Sequence, residues 1–210
     1  MPHSFGKLAF TPAVKQLQEQ HGSRRQYERM ESQGVPQDKL TSMEIDFLQQ
    51  RDSFYWATTG SNGWPYLQHR GGPKGFLKVI DDHTLAFADF SGNKQYISTG
   101  NLQTDDRVAL IFVDYPRQAR LKILGHARAV EGDEAREWIT RTKDTHYPAR
   151  IDRVFVIQIE AYDWNCPQHI TPRYTEQEIQ KTMEPIRIQI QKLESENESL
   201  REEIARLRSK

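Results

Sequence analysis

The chain has 210 residues, with 29 basic and 29 acidic side chains and a formal net charge of zero. That balance excludes the basic footprint of a nucleic-acid binder and the polybasic patch of a membrane-surface protein. The mean hydropathy of −0.80 comes with no long apolar run, which excludes a membrane-spanning helix, and the length suits one domain with extensions.

The first 50 residues read as a helical extension. Thr11-Pro12 opens a segment with Val14 and Leu17 on one face, a charged stretch from Ser23 to Ser32 follows, and Gly34-Val35-Pro36 breaks it. Thr41-Ser-Met-Glu44 has the spacing of a capping box ahead of Ile45, Phe47 and Leu48. The opening Met-Pro-His-Ser-Phe-Gly lacks the basic and apolar regions of an export signal, so secretion is not expected. Cys166 is the sole cysteine and can form no internal disulfide, which points to a reducing cytoplasm.

Residues 51–170 are strand-rich. Phe54–Thr59 and Trp64–His69 flank Ser61-Asn62-Gly63, a hairpin signal because Asn and Gly accept positive φ. Phe76–Ile80 and Thr84–Ala88 flank Asp81-Asp82 as a second hairpin. Further β-branched runs cover Arg107–Val113, Leu121–Val130 and Val154–Ile159, with a helix from Asp133 to Lys143 between the last two. Six or more strands joined by short turns predict a closed antiparallel barrel, which would leave no exposed edges.

Residues 171–210 form a third part, a helical tail. From Ile186 it carries a heptad seam, with Ile190, Asn197 and Ile204 at a and Ile186, Leu193, Leu200 and Leu207 at d. Ile at a with Leu at d favours a parallel dimer, and Glu196 and Glu203 at g would face Arg201 and Arg208 at e of a partner. Pro185 is expected in the first turn of this coil. The competing reading is one amphipathic helix packed on its own barrel.

Three segments carry chemistry. In Leu85–Asn101 an apolar strand runs into the small-residue turn Asp89–Gly92, and Asn93, Lys94 and Gln95 are expected to open a helix. That arrangement gathers a hydroxyl (Ser91), amides, backbone N–H groups and an ammonium where a phosphate would fit. Upstream lies Gln68-His69-Arg70-Gly-Gly-Pro-Lys-Gly-Phe-Leu-Lys78, and downstream Arg117-Gln118-Ala-Arg-Leu-Lys-Ile-Leu-Gly125. In order and spacing these resemble the flavin-binding elements of the pyridoxamine 5′-phosphate oxidase-like family, the FMN-binding split barrels, over roughly residues 42–165. Lys94 and Asn101 keep that family's Lys-to-Asn spacing, Lys78 matches its strand-end Lys and Gln118 its strand Gln. Asn93 stands where the family usually has Arg, and the Gly71-Gly72-Pro73 insertion departs from its pattern.

The resemblance implies a mainly β fold, a split barrel of six or more antiparallel strands with N-terminal helices and a C-terminal coiled-coil helix. It also implies FMN as cofactor, held between two copies of a homodimer, which the tail coil would either staple or pair with another dimer into a higher homo-oligomer. The cofactor-binding residues expected from it are His69, Arg70, Lys78, Ser91, Asn93, Lys94, Gln118 and Trp164. Five have a plainer reading: Lys94 as a solvated helix lysine, Lys78 as a snorkelling strand end, Ser91 as a cap, and His69 and Arg70 as exposed loop residues. Trp164 matches a Trp of the family's Trp-Arg-x-His segment over the flavin, but Asn165 stands in place of the substrate-binding Arg. Hydride transfer between FMN and a small molecule is therefore the leading expectation. A true pyridoxamine 5′-phosphate oxidase, or a non-enzymatic module for flavin, haem or a deazaflavin, is the alternative. Cys166 and His169 have a Cys-x-x-His spacing with no second ligand pair nearby, so no zinc site is expected.

Overall fold

The computed structural model describes residues 5–33, 37–165 and 168–209. Its contacts divide the chain into two compact units, one of residues 1–114 with 118–170 and one of residues 115–117 with 171–210. The first begins with four helices, α1 (Phe5–Ala9), α2 (Pro12–Gln20), α3 (Arg24–Gln33) and α4 (Ser42–Gln49). The Thr11 hydroxyl accepts the Val14 N–H ahead of α2, with Pro12 in the first turn, where its missing N–H costs nothing. The capping box is formed as spaced: Glu44 accepts from the Thr41 N–H at 2.9 Å, and Thr41 caps α4 in return. Gly34-Val35-Pro36 and Cys166 lie outside the described residues.

Seven strands follow: β1 (Ser53–Thr59), β2 (Pro65–Gly71), β3 (Leu77–Val79), β4 (Thr84–Phe90), β5 (Arg107–Asp114), β6 (Ala119–Val130) and β7 (Ile151–Asn165). Two helices interrupt them, α5 (Ile97–Asn101) before β5 and α6 (Ala135–Thr142) before β7. The strands form one antiparallel sheet in the order β2-β1-β5-β6-β7-β4-β3. Gly63 turns the first hairpin at φ 81°, in the left-handed region that glycine enters without a Cβ penalty.

Distances across the interior show that the sheet curls. Laid flat, β1 and β4 would lie four strand spacings apart, about 19 Å. Yet the ring of Phe54 on β1 meets that of Phe87 on β4 at 5.2 Å, and Trp56 meets Phe155 on β7 at 4.9 Å. These aromatics, with Phe112 and a shell of leucines and isoleucines, are buried and form the core. Phe47 and Leu48 complete it from α4, so that helix is part of the core. The expected closure is incomplete. The ladder stops at β2 and β3, and an ion pair from Arg70 on β2 to Asp89 on β4, 2.5 Å long, spans the split. The architecture is a split half-barrel with helical extensions.

In the second unit, Arg173 lies over the Tyr115 ring at 4.9 Å, and α7 (Glu176–Arg208) runs for 33 residues. Thr175 and Glu178 make its capping box, so the helix starts ten residues ahead of Ile186 and Pro185 lies inside it. The expectation of Pro185 in a first helical turn is corrected by this capping box, which puts it in the helix interior. Proline inside the helix leaves the carbonyl four residues earlier without its bond, a loss most easily borne where water can replace it. No described helix is long and apolar enough to cross a membrane.

Candidate functional site

β4 ends beside a register shift at Asp89 and Phe90, and residues 91–96 then carry no regular structure. The helix expected to open at Asn93 begins only at Ile97. The reason is local: Lys94 and Tyr96 have φ of 56° and 54°, a left-handed backbone that no α-helix tolerates. Asn93 steadies the turn by accepting the Gln95 N–H at 3.2 Å, and the Ser91 N–H donates to the Arg150 carbonyl at 2.8 Å. Two non-glycine residues held left-handed store roughly 1–3 kcal/mol each, and such strain concentrates at binding turns. Asn101, at the end of α5, donates to Thr58 on β1 at 2.9 Å and ties the short helix to the sheet.

Beneath the turn lies a cluster of buried charge. Asp89 faces two guanidinium groups, Arg70 at 2.5 Å and Arg153 of β7 at 3.4 Å. Arg153 also reaches Glu131 at 2.9 Å and donates to the Thr99 hydroxyl at 3.0 Å. The Arg70 guanidinium lies over Trp56 and Phe155, at 5.3 and 5.4 Å, and Arg153 over Tyr96 at 4.9 Å. Burial pushes the Asp89 carboxyl up from the usual aspartate range, against the pull of both arginines, and pushes Arg70 down. Even so, the Arg70 Nε is buried without a hydrogen-bond acceptor, whereas the Arg153 Nε is the atom that faces Asp89. Buried donors of this kind ordinarily find a partner.

The turn and the cluster enclose a cleft of about 240 Å³. Of the residues anticipated from sequence, Arg70, Asn93 and Lys94 line it, together with Gln68, Tyr96, Ser98 and Arg153. Ser98 donates to the Gln68 carbonyl oxygen at 3.1 Å, which orients the amide and leaves its NH2 as a donor. Lys94 is exposed and has no ion-pair partner among the described residues, so it is the free cation of the cleft.

The other anticipated residues lie elsewhere. His69 meets Tyr55 edge-on at 5.3 Å and lines a separate, smaller hollow of about 160 Å³ that shares Arg70 and Asp89 with the cleft. Ser91 opens the turn but does not line the cleft. Lys78 donates to the Gly75 carbonyl at 2.7 Å. Gln118 sits in the β5–β6 turn with φ 52°, rather than on the strand, and its amide donates to the Ile170 carbonyl at 2.6 Å. Trp164 lies on β7 opposite Leu121, packs edge-on against Phe47 at 4.8 Å and donates to Glu44 at 2.7 Å. Its indole serves the junction of α4 with the sheet. Arg153 was not singled out from sequence. Its only signal is a cation in register with the apolar positions Phe155 and Ile157 of its strand, where charge is rarely buried without a function or a partner.

A family model described as pyridoxamine 5′-phosphate oxidase matches residues 40–168. The chain belongs to that family. No curated protein matches its sequence. Among solved structures it is similar to HupZ of Group A Streptococcus, at 16% identity over 64% of this chain and 100% of that one, with a TM-score of 0.46. An FMN-binding protein from Syntrophomonas wolfei is 12% identical over 70% of this chain and 97% of that one, TM-score 0.44. A Clostridium acetobutylicum protein related to general stress protein 26, of the pyridoxinephosphate oxidase family, is 13% identical over 65% and 94%, TM-score 0.43. The family match covers α4, the whole sheet and the cleft, and ends before α7. Among the described residues no group of three or more His, Cys, Asp or Glu side chains could hold a metal.

Proposed function

We propose that the protein binds FMN with its phosphate in the cleft beneath the 91–96 turn, and acts as a flavin-dependent oxidoreductase on a small molecule. The observation that carries this reading is Lys94, an unpaired cation on a strained turn, beside Arg153 and beside Arg70, whose Nε donor is unsatisfied. Asp89 and Asp152 stand in the same wall, but Asp89 is committed to Arg70 and Arg153, and Asp152 pairs with Arg150 at 3.4 Å. Asn93 replaces one expected arginine, and Arg153, reaching the cleft from β7, supplies a cation in its stead.

Bound there, FMN would supply hydride acceptance and donation at its N5. The chain's own part is to hold the phosphate with Lys94 and Arg153, to present the Gln68 amide and Ser98 to the polar chain behind it, and to fix the turn through Asn101. A homodimer is part of this reading, since family resemblance puts the flavin between two copies. Lys78, Gln118 and Trp164 line no part of this cleft and take no part in holding the phosphate in this reading. The substrate is not expected to be pyridoxamine 5′-phosphate, because Asn165 stands in place of the family's substrate-binding arginine.

The test compares FMN with riboflavin, which lacks the phosphate. Wild-type protein should bind FMN the more tightly, and Lys94→Ala should weaken FMN by roughly 1.5–3 kcal/mol while leaving riboflavin nearly unchanged. Equal losses for both ligands would remove the phosphate from this turn. Anaerobic addition of pyridoxamine 5′-phosphate to the flavin-loaded protein should leave the flavin oxidised; rapid bleaching would instead identify the family's namesake reaction.

A further inference from the structure

α7 carries a surface that the flavin site does not use and that lies beyond the family match. No residue of the helix is buried, although Ile190, Leu193 and Leu200 are 49%, 52% and 58% exposed on one stripe. With the helix continuous from Glu176, the seven-residue repeat extends further back than its Ile186 start. Position d recurs from Ile179 to Leu207, and position a from Met183 to Ile204, with Asn197 the one polar member. Pro185 falls at c, on the outer face, where it interrupts no contact of the seam and where water can reach the carbonyl it orphans.

We propose that α7 pairs with α7 of a second copy of this chain as a parallel, in-register, two-stranded coiled coil. Four features select this occupant. After Gln191 the apolar stripe narrows almost to a and d alone, the width of a coiled-coil seam and less than a helix needs to cover a globular core. Ile at a with Leu at d selects two strands, and a single Asn at a is satisfied when it meets its own copy in register. Parallel pairing sets Glu196 against Arg201 and Glu203 against Arg208 of the second helix, all attractive; antiparallel pairing would bring g to g and oppose glutamates. A lipid surface is disfavoured by the helix's eight glutamates against six basic residues, since interfacial helices carry a cationic polar face.

The test uses the full chain with Cys166→Ser to remove the native thiol. Leu200→Cys, at d, should convert almost completely to a covalent dimer under oxidised glutathione, whereas Ser199→Cys, at c, should remain monomeric on a non-reducing gel. No cross-link from Leu200→Cys, or equal cross-linking from both positions, overturns the proposal. A second readout guards against a local artefact of the thiol. Glu196→Arg with Glu203→Arg should lower the rate of Leu200→Cys cross-linking severalfold, and adding Arg201→Glu with Arg208→Glu should restore it. Indifference to the first pair, or failure of the second to restore, contradicts parallel pairing.

Discussion

At the scale of single residues, the turn over the cleft and the carboxylate under Trp164 make separable predictions. Lys94 is left-handed at φ 56°. Lys94→Gly should therefore relieve backbone strain and hold or raise the melting temperature, while weakening FMN as much as Lys94→Ala does. A melting temperature that falls on Lys94→Gly would mean the side chain supports the fold rather than the ligand. Glu44 is 2% exposed and accepts hydrogen bonds from Thr41 and from the Trp164 indole. Burial would raise its pKa, but these donors outweigh it and hold the carboxyl below the ordinary glutamate range. Its contribution is thus present above the unfolded-state pKa and is lost as pH falls through the folded one. Glu44→Gln should cost about 1–3 kcal/mol near neutrality and flatten the acid limb of a urea-denaturation series. An unchanged acid limb would show that other carboxylates govern it. The same burial, next to Glu44, pushes the Tyr162 hydroxyl up to about 12.

At the scale of elements, β6 and β7 are held by a close backbone approach. A Cβ on Gly125 would lie 2.3 Å from the Gln158 carbonyl oxygen, at the register shift between Leu124 and Gly125. Gly125→Ala should destabilise the fold by about 1–3 kcal/mol, since one strand must shift or the bulge must open. Gly63→Ala meets no neighbour but is strained by its φ of 81°, and should cost about 1 kcal/mol. A chemical-denaturation comparison of the two that found Gly125→Ala neutral would contradict the packing account.

Which elements could be read beforehand follows from how local their determinants are. The Thr41–Glu44 box and the Asn62-Gly63 hairpin need only adjacent residues, and both form as their spacing dictates. The start of α5 is not legible in the sequence, because Lys94 and Tyr96 adopt positive φ without being glycine, which composition does not signal. Pro185 reads as a first-turn residue because proline usually starts a helix, while the box at Thr175 and Glu178 puts it inside α7. At the site, the turn was legible as a run, but Arg153 reaches it from a strand about 60 residues away. Trp164 was matched to a flavin-facing role, and only the fold shows its indole spent on Glu44.

At the scale of the whole molecule, the sheet and the tail are proposed to do different work. Deleting residues 171–210 removes α7 and none of the cleft-lining residues. The truncated chain should keep its FMN affinity while losing the association that α7 provides, as light scattering would report. Loss of FMN with the tail would make the helix part of the site. The most direct measurement of the central claim is a visible absorption spectrum of the purified chain, followed by fluorescence titration of any cofactor-free protein with FMN. The account predicts flavin bands, or saturable quenching of added FMN at one site per chain with weaker quenching of riboflavin. A Soret band, or no interaction with FMN at all, would contradict it.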